Sequence, residues 1–189
     1  MIDTALSFVL DELNAYLANL VPSDEPNAVL ASLATAPGAA QTPIDGKIVL
    51  SLVNIERETS IGSTGFVAKG GGAYAKINPT LYVNLYVLMS ASYPANYANA
   101  LKVLAYCMSF FQAKQVFDAQ NSTQFPGDMS QLSMEMVSLS MAELSTLWAV
   151  LGSNYLPSVL YKLRMITVQN AWVIAPIPAI SDIAPQMEN

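Results

Sequence analysis

The chain contains no histidine, and that absence removes Ser-His-Asp and Cys-His chemistry together with every metal site built on imidazole. A single cysteine, Cys107, cannot form an internal disulfide, which fits a reducing compartment. Charge is also scarce. Asp, Glu, Lys and Arg make up 12% of the 189 residues, about half of the ~25% usual in soluble domains. With apolar residues at 53%, too few charges remain to cover a lone molecule, and part of the surface is expected to lie against other chains. The eight basic residues are scattered and outnumbered by 14 acids, for a net charge of −6. Such a chain repels phosphates, so no nucleic-acid partner is expected. No run reaches the ~18 to 20 uninterrupted apolar residues of a membrane span, because Asn84, Lys102 and the prolines of the tail interrupt each stretch. Met1-Ile2-Asp3 opens on an acid and lacks a basic leader region, so no secretory signal is expected and synthesis is expected to stay cytoplasmic.

Residues 2 to 20 place Ile2, Leu6, Val9, Leu13, Leu17 and Leu20 at helical spacing, with Asp3, Asp11 and Glu12 elsewhere, which predicts an amphipathic helix. From Val21 to Gly46 several prolines and much alanine predict a long connection, with a short strand near Ala28 to Leu33. Lys47 to Glu58 reads as a strand, apolar on both faces until Asn54, after which Glu56 and Glu58 share one side and Arg57 takes the other. Ser60 to Lys76 holds five glycines and predicts a flexible loop or hairpin tip. Leu81 to Met89 alternates apolar residues with Tyr82, Asn84 and Tyr86, a strand with one apolar and one amphipathic face. After Pro94 a helix is expected to about Ala113, with Tyr97, Leu101, Leu104, Met108 and Phe111 as its core stripe. Val103, Cys107 and Phe110 are apolar too, which predicts cover on two sides. Short strands are expected at 116–118 and at Leu132, Met134 and Met136.

Nothing in this order builds a catalytic site. Gly70-Gly71-Gly72-Ala73-Tyr74-Ala75 formally matches Gly-x-Gly-x-x-Ala, but a dinucleotide site needs a helix after it, and here Pro79 and a strand follow. Gly71 occupies the position where a P-loop needs lysine. Cys107 falls inside an apolar helix with no basic neighbour and reads as a small core hydrophobe. Adjacent acids such as Asp11-Glu12 point apart on a helix and read as solvated. Glu56 and Glu58 differ, because strand alternation puts both on one face. They are either a solvated strand end or a charge-matched contact with Lys162 and Arg164 or with a neighbouring subunit. No cofactor or metal is expected.

The most legible stretch is 140–168. Ser140 with Glu143 forms a capping box. Leu144, Leu147, Trp148 and Leu151 then share one helical face, and Gly152 stands where a left-handed terminator is wanted. A long strand follows, with Val159, Tyr161, Leu163 and Met165 pointing one way and Lys162 and Arg164 the other. The fold expected from these elements is α+β: a mixed or antiparallel β-sheet flanked by helices, in a single domain over 1–168. Residues 169–189, with Trp172 and Ile174 among three prolines, read as a Pro-rich C-terminal arm or extended tail.

The Leu-x-x-Leu-Trp helix, its glycine and the strand Tyr155-Leu156-Pro157-Ser158-Val159-Leu160-Tyr161-Lys162-Leu163-Arg164 resemble the tail terminator, or cap, proteins of phage-tail-like contractile injection systems. Lys47 to Glu58, Asn78 to Leu88 and a Tyr-rich helix ending in Phe110-Phe111-Gln112 support the match by their order and spacing. The resemblance implies a structural protein and no enzyme, a homohexameric ring on the distal end of the inner tube and outer sheath. Such a ring stops polymerisation and anchors the sheath end. It implies assembly in the bacterial cytoplasm into a particle that is released or host-anchored. Some members of the family are longer by a C-terminal domain, which is not expected beyond Gln169. A sheet edge is expected to hold the sheath, with Glu56, Glu58, Lys162, Arg164 and Trp172 as candidate interface residues. Other readings are a baseplate or tube-initiating subunit, or a small-ligand-binding α/β domain using the Gly-rich loop.

Overall fold

Apolar residues at 3.6-residue spacing open the chain, and they form α1 (Ile2–Ala18). Its buried face is Ala5, Leu6, Phe8, Val9, Leu13 and Leu17, while Leu20 lies beyond the helix and is exposed. The elements that follow are β1 (Ala28–Leu30), β2 (Lys47–Arg57), β3 (Phe66–Lys69), β4 (Ala73–Ile77), β5 (Leu81–Ser92) and α2 (Tyr97–Ala113). They are succeeded by β6 (Val116–Phe117), β7 (Leu132–Val137), α3 (Met141–Leu151), β8 (Ser158–Val168) and β9 (Val173–Ile177). This computed structural model describes residues 1–33, 43–59, 66–69, 73–77, 81–168 and 173–177.

Six strands form one sheet in the order β1-β2-β5-β8-β7-β6, in which β1 runs parallel to β2 and every other neighbour is antiparallel. The fold is therefore α+β with a mixed sheet, as the pattern predicts. β3, β4 and β9 form a separate three-stranded sheet. The Gly-rich stretch is followed by the strand β4, not by a helix, which disposes of the dinucleotide-type pattern on structural grounds.

Helices pack on both faces of the six-stranded sheet, one face fully and the other only in part. One lies under α1 and α2: Ile48, Leu50, Leu85, Val87, Met89, Tyr161 and Leu163 pack with the buried residues of both helices. Phe8, Phe110 and Phe117 join rings across this layer, with Phe8 edge-on to Phe117 at 5.8 Å. Each such fully buried side chain contributes about 1.5–3 kcal/mol relative to exposure. The Asn14 side chain fastens α1 to β1, donating to the Ala28 carbonyl at 3.0 Å and accepting from its N–H at 2.8 Å.

The stripe expected for α2 is corrected by the structure. The buried residues are Ala100, Val103, Leu104, Cys107, Phe110 and Phe111, whereas Tyr97, Leu101 and Met108 are exposed. A helix apolar nearly all round offers two stripes of equal quality, and the one carrying alanine and cysteine approaches the sheet closely enough to exclude water. Cys107 is buried there, and burial pushes its thiol up to about 12.

The opposite face is shared. Over Val49, Leu88 and Leu160 sits α3, with Trp148 buried and Leu144, Leu147 and Leu151 packed around it. Its ends follow the sequence reading: Ser140 and Glu143 make both capping-box hydrogen bonds, at 2.8 and 3.3 Å, and Gly152 adopts φ 63°. The remainder of that face is polar.

A charged ladder on the uncovered half of the sheet

On β2 the even-numbered residues Ile48 and Leu50 face α1 and α2, whereas Val49 and Val53 face the α3 side. Strict alternation would carry Glu56 and Glu58 onto the helix-covered face with Ile48. It does not, because β2 pairs with β5 at Leu52↔Val87 and next at Asn54↔Tyr86, leaving Val53 as an extra residue. One inserted residue exchanges the faces of everything after it. The bulge thereby delivers Glu56 and Glu58 to the face that carries Lys162 and Arg164, both of which neighbour Leu160 in alternation on β8.

Four strands contribute to the resulting ladder. Lys162 Nζ donates to Glu56 at 2.9 Å across β5, lying 5.3 Å from the centroid of the Tyr86 ring beneath it. The Tyr86 hydroxyl donates to the same carboxylate at 2.8 Å. One rung further along, Arg164 donates to Glu58 at 3.1 Å and the Asn84 side-chain amide donates to it at 2.9 Å. Arg164 also reaches Glu135 of β7 at 3.4 Å. Three acids and two bases leave the group with one net negative charge.

Burial grades the ladder. The Glu58 side chain is 7% exposed, against 47% for Glu56 and 55% for Glu135. Glu58 is therefore an inner carboxylate that needs its donors, while Glu56 and Glu135 keep open sides toward solvent. The hydrogen bond from Lys162, then that from Tyr86, holds the Glu56 carboxyl below its ordinary range. The Glu56 bond holds the Lys162 ammonium above its own, and Glu58 does the same for Arg164. Each of the three carboxylates accepts from a basic side chain of the ladder, an arrangement that suits adhesion.

The structure thus brings together four of the five sequence-predicted residues; Trp172 lies outside the described residues. Glu56 and Glu58 make the charge-matched contact within the chain rather than ending in solvent. β8 is an interior strand between β5 and β7, so Lys162 and Arg164 offer a face and not an edge. Glu135, Tyr86 and Asn84 were missed as participants, although Glu135 was readable as the single charge in the Leu132–Val137 alternation. Among the expected solvated acids, Glu12 is instead paired, accepting from Lys114 at 2.6 Å. Among the described residues no cluster of His, Cys, Asp or Glu could hold a metal ion, and no helix is long and apolar enough to cross a membrane.

The chain is similar to known proteins both in its sequence family and in its fold. The family model of the Pvc16 N-terminal domain matches residues 4–181. The solved sheath/tube terminator of an extracellular contractile injection system, PVC, in its extended state shares the fold over 100% of this chain, with a TM-score of 0.63 and 16% identity. The tube-terminating cap of the anti-feeding prophage matches 97% of the chain, with a TM-score of 0.58 and 16% identity. This chain spans 64% and 61% of those two, so about three fifths of their length. No curated protein matches it in sequence.

Proposed function

Because the chain belongs to the Pvc16 N-terminal domain family, we propose that it is a structural terminator of a contractile injection particle, seated on the distal end of the inner tube and sheath. The observation that carries this reading is the extent of the fold match, which runs the whole length of the chain onto a protein described as a sheath/tube terminator. The cap is a homohexameric ring that stops polymerisation and holds the sheath end, assembled where the particle is assembled. Its action is steric and adhesive. The ladder face of Glu56, Glu58, Lys162, Arg164 and Glu135 is the polar contact surface, and residues 169–189 with Trp172 act as an arm from the 1–168 domain.

Two features support this. Charge is too scarce for a free-standing surface, and exposed apolar side chains such as Met141, Val150 and Met136 remain on the described surface. The test is removal of the chain from a producing strain, followed by imaging. Tubes of uncontrolled length, restored to uniform length when the chain is supplied, are expected. Uniform capped particles without it, or the chain found at the baseplate end, would overturn the proposal.

A further inference from the structure

Among the described residues the six-stranded sheet is open at both ends, and the two openings are complementary. β1 covers only Ile48 to Leu50 of β2. Beyond it, Leu52 to Arg57 has no strand partner on its outer side among the described residues. In an antiparallel pair the N–H and C=O of one residue point the same way. Ile48 N–H and Leu50 C=O point outward to β1 and its continuation, and Glu58 N–H points inward to Tyr82. With the Val53 bulge between them, Ile55 and Arg57 present their main-chain groups outward. At the other end β6 pairs only with Leu132 and Ser133, and Gln115 takes the Met134 N–H at 2.8 Å. By the same alternation Met136 presents its main chain outward with no described partner.

The side chains match as well. Leu52 and Ile55 oppose Val87 and Leu85, so they lie on the face toward α1 and α2, and they are 37% and 48% exposed. On that same face, at the far end, an open groove of about 270 Å³ is lined by Met108, Phe111, Gln112, Met134, Met136 and Tyr161. One end carries apolar knobs and the other an apolar groove. Strand direction agrees too: β2, β5, β8 and β7 alternate, so β2 of a second copy laid beside β7 continues the sheet antiparallel.

We propose that copies of this chain associate head to tail, with the outer half of β2 of one copy adding to the open end of β7 of the next and its Ile55 entering the groove beside Met136. This rests on the ring reading above and names the surface that makes the ring. The contact is heterologous, so each copy offers one knob edge and one groove edge and a closing rotation is required. It also removes from solution two unpaired strand edges that a free subunit would expose.

The experiment places one cysteine at each edge, Ile55→Cys in one batch of full-length chain and Met136→Cys in another, linked by a short bis-maleimide. Cys107 is fully buried and stays out of the reaction. Each batch alone is expected to stay uncoupled, the mixture to yield dimers, and the double variant to yield a ladder of oligomers. Adding Leu52→Asp to the Ile55→Cys batch is expected to abolish the mixed product while circular dichroism stays unchanged, since that neighbouring side chain on the same edge is 37% exposed. Efficient coupling within either single batch, or no mixed dimer at high concentration, overturns the proposal. The same reaction on purified particles separates the two readings. Capped particles that do not couple remove the edge pairing and leave the cap intact. Particles without this chain at their ends remove the cap, while the mixture in solution still decides the pairing.

Discussion

Arg164 donates to Glu58 at 3.1 Å from 106 positions later in the chain, over an intervening strand whose Asn84 donates to the same carboxylate. The pair ties β2 to β8 without either strand touching the other through its backbone. Because Glu58 is the buried partner, the two rungs of the ladder are unequal.

Removing Arg164 is accordingly expected to cost more than removing Lys162. Arg164→Met leaves an inner carboxylate short of a donor, a loss of about 2 kcal/mol. Lys162→Met exposes Glu56, which solvent can serve, at about 0–1 kcal/mol. Urea unfolding of the two variants measures the difference, and equal losses would contradict the grading. Reversal of both charges to glutamate is expected to destabilise the fold by crowding five acids on one face.

Deleting Val53 is expected to be among the most damaging single changes available. The deletion restores unbroken alternation and drives Glu56 and Glu58 under the helices. Loss of cooperative unfolding, read by thermal melting, is expected, whereas Val53→Ala, which keeps the bulge, is expected to cost about 1 kcal/mol.

Acid is expected to weaken the fold in part through Glu56. Its folded pKa lies below the ordinary 4.5, so its stabilisation is complete above that value and is lost as pH falls through the lowered one. Lys162 has the opposite sign. Its folded pKa lies above 10.5, so its share is complete below 10.5 and disappears as pH rises through the raised value. Chemical denaturation from pH 3 to pH 6 should show a shallower slope for Glu56→Gln than for the parent.

Cys107 is expected to resist thiol reagents at pH 8 in the native chain. Burial holds its thiol up to about 12, so both access and thiolate are lacking. Rapid labelling of the folded protein would contradict this, and labelling that tracks unfolding would confirm it.

The contrast between what was readable and what was not follows the range of the interactions. Ser140, Glu143 and Gly152 act within four residues of themselves, so α3 and its ends could be read directly. The two-faced character of β8 could be read because Lys162 and Arg164 break an apolar alternation. The face of α2 could not, because Tyr97, Leu101 and Met108 are as apolar as the residues that are buried, and only the sheet decides between them. Strand order, which makes β8 interior, and the bulge at Val53 depend on pairing partners ~30 to 100 residues away and leave no mark in local pattern. The charge-matched reading of Glu56 and Glu58 survived that limit because opposite charges on two long strands have few other places to go.

The central position of β8 also sets a timetable. β1, β2 and β5 can pair as soon as Ser92 has been made, yet β6 and β7 join the sheet only through β8, which is synthesised after both. A nascent chain halted at Gly152 holds a three-stranded fragment, and its β6–β7 pair has no β8 through which to join it. The β2 edge of the finished sheet is therefore available early, whereas the β7 edge joins it only at the end of translation. If copies pair as proposed, an incomplete copy offers only one of the two edges and cannot be built into a closed ring.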